Sequence, residues 1–253
     1  MDDIVSRILV SVNEAERLAL QACEIDDPAE IRRRAAQLLD QNPLSATAWC
    51  LLASQAPAGS NDQVDLYQRA VGAAMTVAGV RRIDDETPIA RDHVSRGLVR
   101  ALAGLADALR LAGKLEDAIA TYHDVLRVDT SDGLRVRYAL AECLLATGYL
   151  VSLQRLLTRF ETDHCAAWRW TAALAAFKLD RDDADDLLDD AVDSNPYVGP
   201  YLLDRLSWVG DAPRAHQPAE ENEAAWYAGE FSRHWAARPE AKRWIAERTG
   251  LAG

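Results

Sequence analysis

The chain has 253 residues, enough for one large domain or two small ones, and 49% of them are hydrophobic. Its formal net charge of -12 disfavours binding to nucleic-acid phosphates and to anionic membrane surfaces. We therefore expect neither nucleic acid nor a membrane as a partner, and a basic peptide suits the overall charge best.

The composition and the N-terminus predict an all-α cytoplasmic protein. Ala and Leu, the best helix formers, dominate the apolar residues, and no stretch alternates apolar and polar residues as a strand would. The start Met1-Asp2-Asp3-Ile4 is acidic, unlike a signal peptide, and no apolar stretch is long enough to span a bilayer. The scattered cysteines lack CxxC spacing, which is typical of buried thiols in a reducing compartment.

The first third of the chain predicts two loosely patterned helix pairs. Residues 2–23 carry an apolar stripe at helical spacing, and Asp27-Pro28 provides a cap and a first-turn proline for the next helix. We interpret residues 1–43 as a degenerate first pair. Residues 45–77 form a second pair, divided by a loop rich in turn residues. Residues 78–91 are predicted to be an irregular insertion.

Residues 98–129 contain the clearest repeat unit. Two helical patterns lie on either side of Gly113-Lys114. Small residues at Ala106 and Ala118 permit the close approach of two antiparallel helices, and Tyr122 fills the space between neighbouring pairs. This combination resembles the tetratricopeptide repeat.

Two further units follow at the spacing of such repeats. Residues 133–160 repeat the first half of the preceding unit, and Gly148 follows the earlier turn glycine after 35 residues. Residues 166–196 form the next unit, with Trp168 at the usual Trp position and Pro196 at the end. Because a single helix pair cannot bury its apolar stripe, successive pairs are expected to stack.

The predicted fold is therefore all-α: a right-handed α-solenoid of tetratricopeptide-like helix pairs with a C-terminal helical cap. The solenoid covers residues 1–196, and the first helix of each pair lines a concave groove. Residues 197–253 depart from the repeat pattern. Their aromatic side chains are expected to seal the apolar end of the last pair within the same domain.

The C-terminal segment also contains short sequence motifs that lie outside the generic repeat. They are Asn195-Pro196-Tyr197-Val198, Tyr201-Leu202-Leu203, Asn222-Glu223-Ala224, Tyr227-Ala228, Trp235, Pro239, Ala241 and Trp244. Through these motifs, residues 95–248 resemble the suppressor-of-tumorigenicity-seven family and its bacterial tetratricopeptide relatives. The resemblance implies a repeat fold and a role in protein interactions. It implies no enzymatic reaction for this chain.

No motif predicts a reaction, a cofactor or a metal site. The acidic run 180–193 lacks the glycine and the ligand spacing of an EF-hand loop, and its Asp residues fall beside an apolar helical stripe. We interpret it as a solvated helix face, with a weak cation site as the alternative. The histidines are not paired at zinc-ligand spacing: His93, His123, His164, His216 and His234.

The concave groove is the candidate site. Arg100 and Arg135 hold equivalent positions in successive units, and arginine binds carboxylates through two parallel hydrogen bonds. The predicted groove set is Arg100, Asp107, Arg110, Arg135, Tyr138, Glu142 and Arg169. One hypothesis is that the arginines bind an acidic segment or a peptide C-terminus. The alternative is that these charges are solvated or pair with Asp107 and Glu142.

Together these patterns favour a non-enzymatic scaffold that binds a protein or peptide segment in its groove. One alternative is a self-associating structural subunit, with exposed Trp208, Trp226 or Trp244 at a homomeric interface. A second alternative is an enzyme with an unfamiliar site. The partner's identity and the oligomeric state stay open at this level.

Overall fold

The computed structural model of the chain describes residues 14–21, 25–84, 93–209, 213 and 220–251. Every regular element within them is a helix, which confirms the all-α prediction. The chain separates into two compact units, Met1–Val136 (unit 1) and Arg137–Gly253 (unit 2). The division therefore falls inside the predicted solenoid, rather than at the change of sequence pattern after residue 196.

The described part of unit 1 contains helix pairs joined by loops. Its helices are α1 (14–21), α2 (Pro28–Gln41), α3 (Ala46–Ser54), α4 (Asn61–Ala78), α5 (His93–Leu111) and α6 (Leu115–Val128). Consecutive helices pack together from α2 to α6, and α3 also contacts α5. The first helices of the pairs α3–α4 and α5–α6 thus contact each other. The rest of the predicted first helix and residues 85–91 of the predicted insertion lie outside the described residues.

Local sequence signals set the helix boundaries of unit 1. At the start of α2, the Asp27 carboxylate accepts a hydrogen bond of 3.0 Å from the Ala29 amide. At the start of α4, Ser60 Oγ accepts one of 3.1 Å from the Gln63 amide. Gly113 ends α5 with a φ of 75°, a conformation that favours glycine. The predicted boundaries at these positions are confirmed.

The core of unit 1 depends on close helix contacts. The apolar side chains predicted to face the core of the α5–α6 pair are buried: Leu102, Leu105, Ala106, Leu109, Ala118 and Tyr122. A Cβ atom on Gly104 would lie only 2.2 Å from Tyr67 Cε1, so this glycine allows α4 to pack directly on α5.

Unit 2 contains two more pairs and the C-terminal helices. They are α7 (Arg137–Thr147), α8 (Leu150–Arg159), α9 (Ala166–Lys178), α10 (Ala184–Ser194), α11 (Val198–Leu202), α12 (Glu221–Ala236) and α13 (Pro239–Arg248). The first helices of its pairs, α7 and α9, contact each other. Gly148 between α7 and α8 has a φ of 76°. It therefore matches Gly113 in both sequence position and conformation.

The C-terminal helices do more than cover the last pair. Helix α12 packs on both α7 and α9, and its side chains Tyr227, Phe231 and Trp235 are almost fully buried. Helix α13 bonds to α10, where Trp244 Nε1 donates to Asp185 Oδ1 at 2.7 Å. Helix α13 thus contacts the last pair, and α12 lies over the first helices of both pairs, which is a wider coverage than an end cap predicts.

Candidate functional site

The seven residues of the predicted groove are divided between the two units. Four belong to unit 1: Arg100, Asp107, Arg110 and Arg135. Three belong to unit 2: Tyr138, Glu142 and Arg169. Their surroundings differ, since only one of the seven lines an open pocket in unit 1 and two are buried in unit 2.

An open pocket of about 380 Å³ lies in unit 1 where α1, α3 and α5 meet. Its lining residues are Glu16, Arg17, Leu20, Thr47, Arg96, Gly97 and Arg100. Three arginines therefore meet at one pocket in a chain with a net charge of -12. This concentration of positive charge runs against the overall charge of the protein, so the pocket is suited to an anionic ligand.

Among the described lining residues the one carboxylate is that of Glu16, and it binds to the start of α3. Glu16 Oε1 accepts hydrogen bonds from Ser45 Oγ at 2.9 Å and from the Thr47 amide at 3.1 Å, and Oε2 accepts one from Thr47 Oγ1. The carboxylate thereby satisfies a free amide in the first turn of α3, where negative charge is favourable. Its oxygens are directed at α3 rather than at the arginines.

Arg96 and Arg100 lie one helical turn apart on α5, and both are exposed. Like charges at this spacing repel each other. Neither forms an ion pair with another described residue. Between them, Gly97 is buried against α3, and a Cβ atom added there would lie 3.8 Å from the Ala46 Cβ. Contact of α5 with α3 at this point therefore places both arginines at the pocket.

Arg17 supplies the third positive charge from α1. Its Nη2 lies 3.9 Å from Glu14 Oε1, and both side chains are more than half exposed. An exposed ion pair at that distance is weak and screened by solvent. Arg17 is therefore able to turn toward an anion in the pocket at little cost.

The other predicted residues of unit 1 lie outside this pocket. Asp107 Oδ1 accepts a hydrogen bond of 2.5 Å from Tyr122 Oη, which joins α5 to α6. Arg110 follows one turn further along α5 and is half-buried. Arg135 lies in the loop before α7 with a φ of 56°, so it does not hold the position of Arg100 on a helix.

In unit 2, Glu142 is buried beneath α12 and bound by two of its side chains. Arg233 Nη2 donates to Glu142 Oε1, and His234 Nε2 lies 2.9 Å from the same oxygen. Burial favours a higher pKa for Glu142, but the hydrogen bonds from His234 and Arg233 outweigh it and hold the pKa below its usual value. The expectation that Glu142 faces an open groove is corrected, because α12 occupies that position.

Tyr138 lies beneath the same helix. Tyr138 is only 7% exposed, and its ring makes edge contacts with the rings of Trp168 and Trp226, the latter from α12. Tyr138 Oη donates to Asp163 Oδ2 at 2.7 Å and lies 3.1 Å from Cys165 Sγ. Tyr138 is thus part of the core of unit 2, and its prediction as a groove residue is corrected for the same reason.

The group around Cys165 is the part of unit 2 that most resembles a reactive site. Burial raises the pKa of the Cys165 thiol to about 12, and the neighbouring Asp163 carboxylate adds to the effect. The thiol is therefore protonated at neutral pH and a poor nucleophile. Asp163 in turn accepts hydrogen bonds from Tyr138 and from Arg137, whose Nε lies 2.8 Å away. The arrangement is that of a structural polar network.

The remaining charged predictions in unit 2 are engaged in surface contacts. Arg169 Nη2 lies 2.7 Å from His164 Nδ1, and Arg169 Nη1 lies 3.6 Å from Asp190 Oδ2. In the acidic run, Asp185 and Asp189 both pair with Arg248 of α13. These two Asp residues thus hold α13 on α10, in place of the expected contact with solvent alone.

The tryptophans proposed for a homomeric interface have partners within unit 2. Trp226 contacts Tyr138 and Phe231, and Trp244 stacks on Phe177 with ring centroids 4.8 Å apart. Trp208 is half-buried. A broad exposed tryptophan surface is therefore absent from this part of the described chain.

No group of three His, Cys, Asp or Glu side chains in the described ranges could hold a metal ion. Of the helices that the structure describes, none combines the length and the apolar character needed to cross a lipid bilayer. No protein-family model matches the sequence, and no curated protein matches it.

Of the three arginines at this pocket, the sequence interpretation named Arg100 and did not name Arg17 or Arg96. A usable signal existed for Arg96, because it precedes Arg100 by one helical turn on the same face of α5. Arg17 carries no such local signal. Its approach to the pocket depends on how α1 packs against α3 and α5.

Proposed function

We propose that this chain is a cytoplasmic, non-enzymatic interaction protein that binds an acidic protein segment at the arginine pocket of unit 1. The observation that carries the proposal is the meeting of Arg17, Arg96 and Arg100 at one open pocket. Arginine binds carboxylates in two-bonded geometry and is enriched where proteins recognise anionic partners. Of the seven predicted groove residues the proposed site keeps Arg100, and it adds Arg17 and Arg96.

The proposed fold family supports this function. We propose that the helix pairs are tetratricopeptide-like, stack in a right-handed sense and belong with the relatives of the suppressor-of-tumorigenicity-seven family. The contact of α3 with α5, the contact of α7 with α9 and the matched turn glycines support stacked pairs within each unit. Such pairs commonly present their first helices to a partner.

Site-specific photo-crosslinking in the native host tests the proposal. A photoreactive residue replaces Leu20, which lines the pocket and is 40% exposed, or Val151 on α8, which is 60% exposed. We expect a protein that crosslinks at position 20 and not at position 151. The Arg96→Glu/Arg100→Glu double variant should abolish that crosslink.

A matched charge change provides the control. Arg155 and Arg159 are exposed and one turn apart on α8, so Arg155→Glu/Arg159→Glu alters the net charge equally. This control should leave the crosslink at position 20 intact. A crosslinked partner that survives the substitution of Arg96 and Arg100 would show that the pocket does not carry the interaction.

A further inference from the structure

We infer that the segment bound by unit 1 is an acidic amphipathic helix, which lies along α5 and places carboxylates against Arg96 and Arg100. The inference rests on the proposed function and adds the conformation and the charge pattern of the ligand. Two independent features of the chain lead to it: the spacing of the two arginines, and the way in which α12 is bound within unit 2.

The spacing of the arginines matches the side-chain spacing of a helix. Arg96 and Arg100 are four residues apart on α5, so their Cα atoms are separated by about 6 Å along its axis. A second helix presents acidic side chains at i and i+4 with the same rise of about 6 Å. A helix lying alongside α5 can therefore pair both arginines at once.

Unit 2 provides an example of such binding inside the same chain. There α12 lies over the first helices α7 and α9, and it is held by a charged contact and an aromatic contact. Arg233 and His234 of α12 bind Glu142 of α7, while Trp226 of α12 packs on Tyr138. A first-helix surface in this protein thus accepts another helix through side chains that complement its own at the point of contact.

The charges are reversed in unit 1. Helix α7 offers the Glu142 carboxylate and receives Arg233 and His234 of α12, whereas α5 offers two exposed arginines at the pocket. Glu16 does not neutralise them, because its oxygens bind Ser45 and Thr47. A helix complementary to α5 therefore presents acidic side chains to the two arginines. Leu20, at the edge of the pocket, provides a contact for an apolar side chain of that helix.

Fluorescence anisotropy with synthetic peptides tests the inference on the full chain. The probe is a capped peptide of repeating Glu-Ala-Ala-Leu, about 18 residues long so that it forms a helix. Two matched probes carry either central prolines, which break the helix, or Lys in place of Glu. We expect the helical acidic probe to bind about tenfold more tightly than the proline probe, and the Lys probe not to bind.

Variants locate the binding on the protein. Arg96→Ala/Arg100→Ala should weaken binding of the helical acidic probe by about tenfold or more. Arg155→Ala/Arg159→Ala should leave it unchanged. Equal affinity of the proline and helical probes would show that the bound segment need not be helical. The acidic character of the ligand would then still stand. Inorganic phosphate is added at the same concentration of negative charge as the probe. If phosphate displaces the probe completely, the pocket binds any anion and the inference of a helical ligand is wrong.

The crosslinking experiment separates this inference from the proposed function. If crosslinking at position 20 depends on Arg96 and Arg100 but no acidic probe binds, the acidic helix is wrong and the interaction pocket stands. If crosslinking and probe binding are both indifferent to the two arginines, the pocket itself is rejected.

Discussion

Unit 1 and unit 2 both place a glutamate from another helix at the start of a first helix. In unit 1, Glu16 of α1 accepts from the Thr47 amide at 3.1 Å, in the first turn of α3. In unit 2, Glu223 of α12 accepts from the Ala166 amide at 2.9 Å, at the start of α9. Both contacts satisfy an amide that has no partner within its own helix.

The two contacts differ in what surrounds them. Glu223 is completely buried, and its second oxygen accepts from Asn195 Nδ2 at 3.0 Å. Glu16 is half-buried and forms one wall of an open pocket. The same polar contact therefore serves internal packing in unit 2 and borders a proposed binding surface in unit 1. The difference is the burial of the glutamate, which is complete for Glu223 and partial for Glu16.

The largest expected effect is that of Glu223→Ala on unit 2. The substitution leaves the Ala166 amide and Asn195 Nδ2 buried without this acceptor, so the free energy of unfolding should fall by about 3 kcal/mol. Denaturation followed by tryptophan fluorescence measures it, because six of the seven tryptophans lie in unit 2. Glu230→Ala on the exposed side of α12 is the control and should change stability little.

A smaller effect, dependent on pH, is expected for Glu142→Gln. Its carboxylate has a lowered pKa in the folded state, so it stabilises unit 2 above the usual glutamate pKa of about 4.3. That stabilisation is lost as the pH falls through the lowered value. At pH 7 the variant should be less stable by about 2 kcal/mol. The gap to the wild type should narrow below about pH 4; a constant gap would contradict a charged contact.

Glu16→Ala should destabilise the start of α3 by about 1 kcal/mol, less than its counterpart in unit 2. The reason is that water can reach the half-buried pocket and replace part of the lost hydrogen bonding. Hydrogen exchange of α3 peptides measures the effect locally. Glu14→Ala, an exposed change two residues earlier, is the control. A loss as large as that of Glu223→Ala would remove the distinction between the covered and the open contact.

The smallest expected effect is a gain. Arg96→Ala/Arg100→Ala removes a like-charge pair from α5 and introduces good helix formers, so unit 1 should become more stable by about 0.5 kcal/mol. Hydrogen exchange over α5 is the measurement, and high salt should reduce the gain. A clear destabilisation would mean that the two arginines support the fold rather than a ligand.

Much of the helical layout could be predicted because it depends on local signals. The apolar stripes of α5 and α6, the cap at Asp27 and the turn glycines Gly113 and Gly148 act within one or two turns of the chain. Their placement in the structure agrees with the sequence. The candidate pocket was found only in part, since Arg100 was singled out and Arg17 was not.

The tertiary structure alone decided which surfaces are covered. The contact of Glu142 with Arg233 joins residues 91 positions apart, and no periodicity in the sequence encodes that distance. Likewise, α12 has the aromatic side chains expected to seal the end of the last pair, but it packs on α7 as well as on α9. Sequence patterns determine which side of each helix is apolar, because that depends on residues within a turn. Which helix comes to lie on that side depends on packing between distant segments, and this packing separates a buried face from an open one.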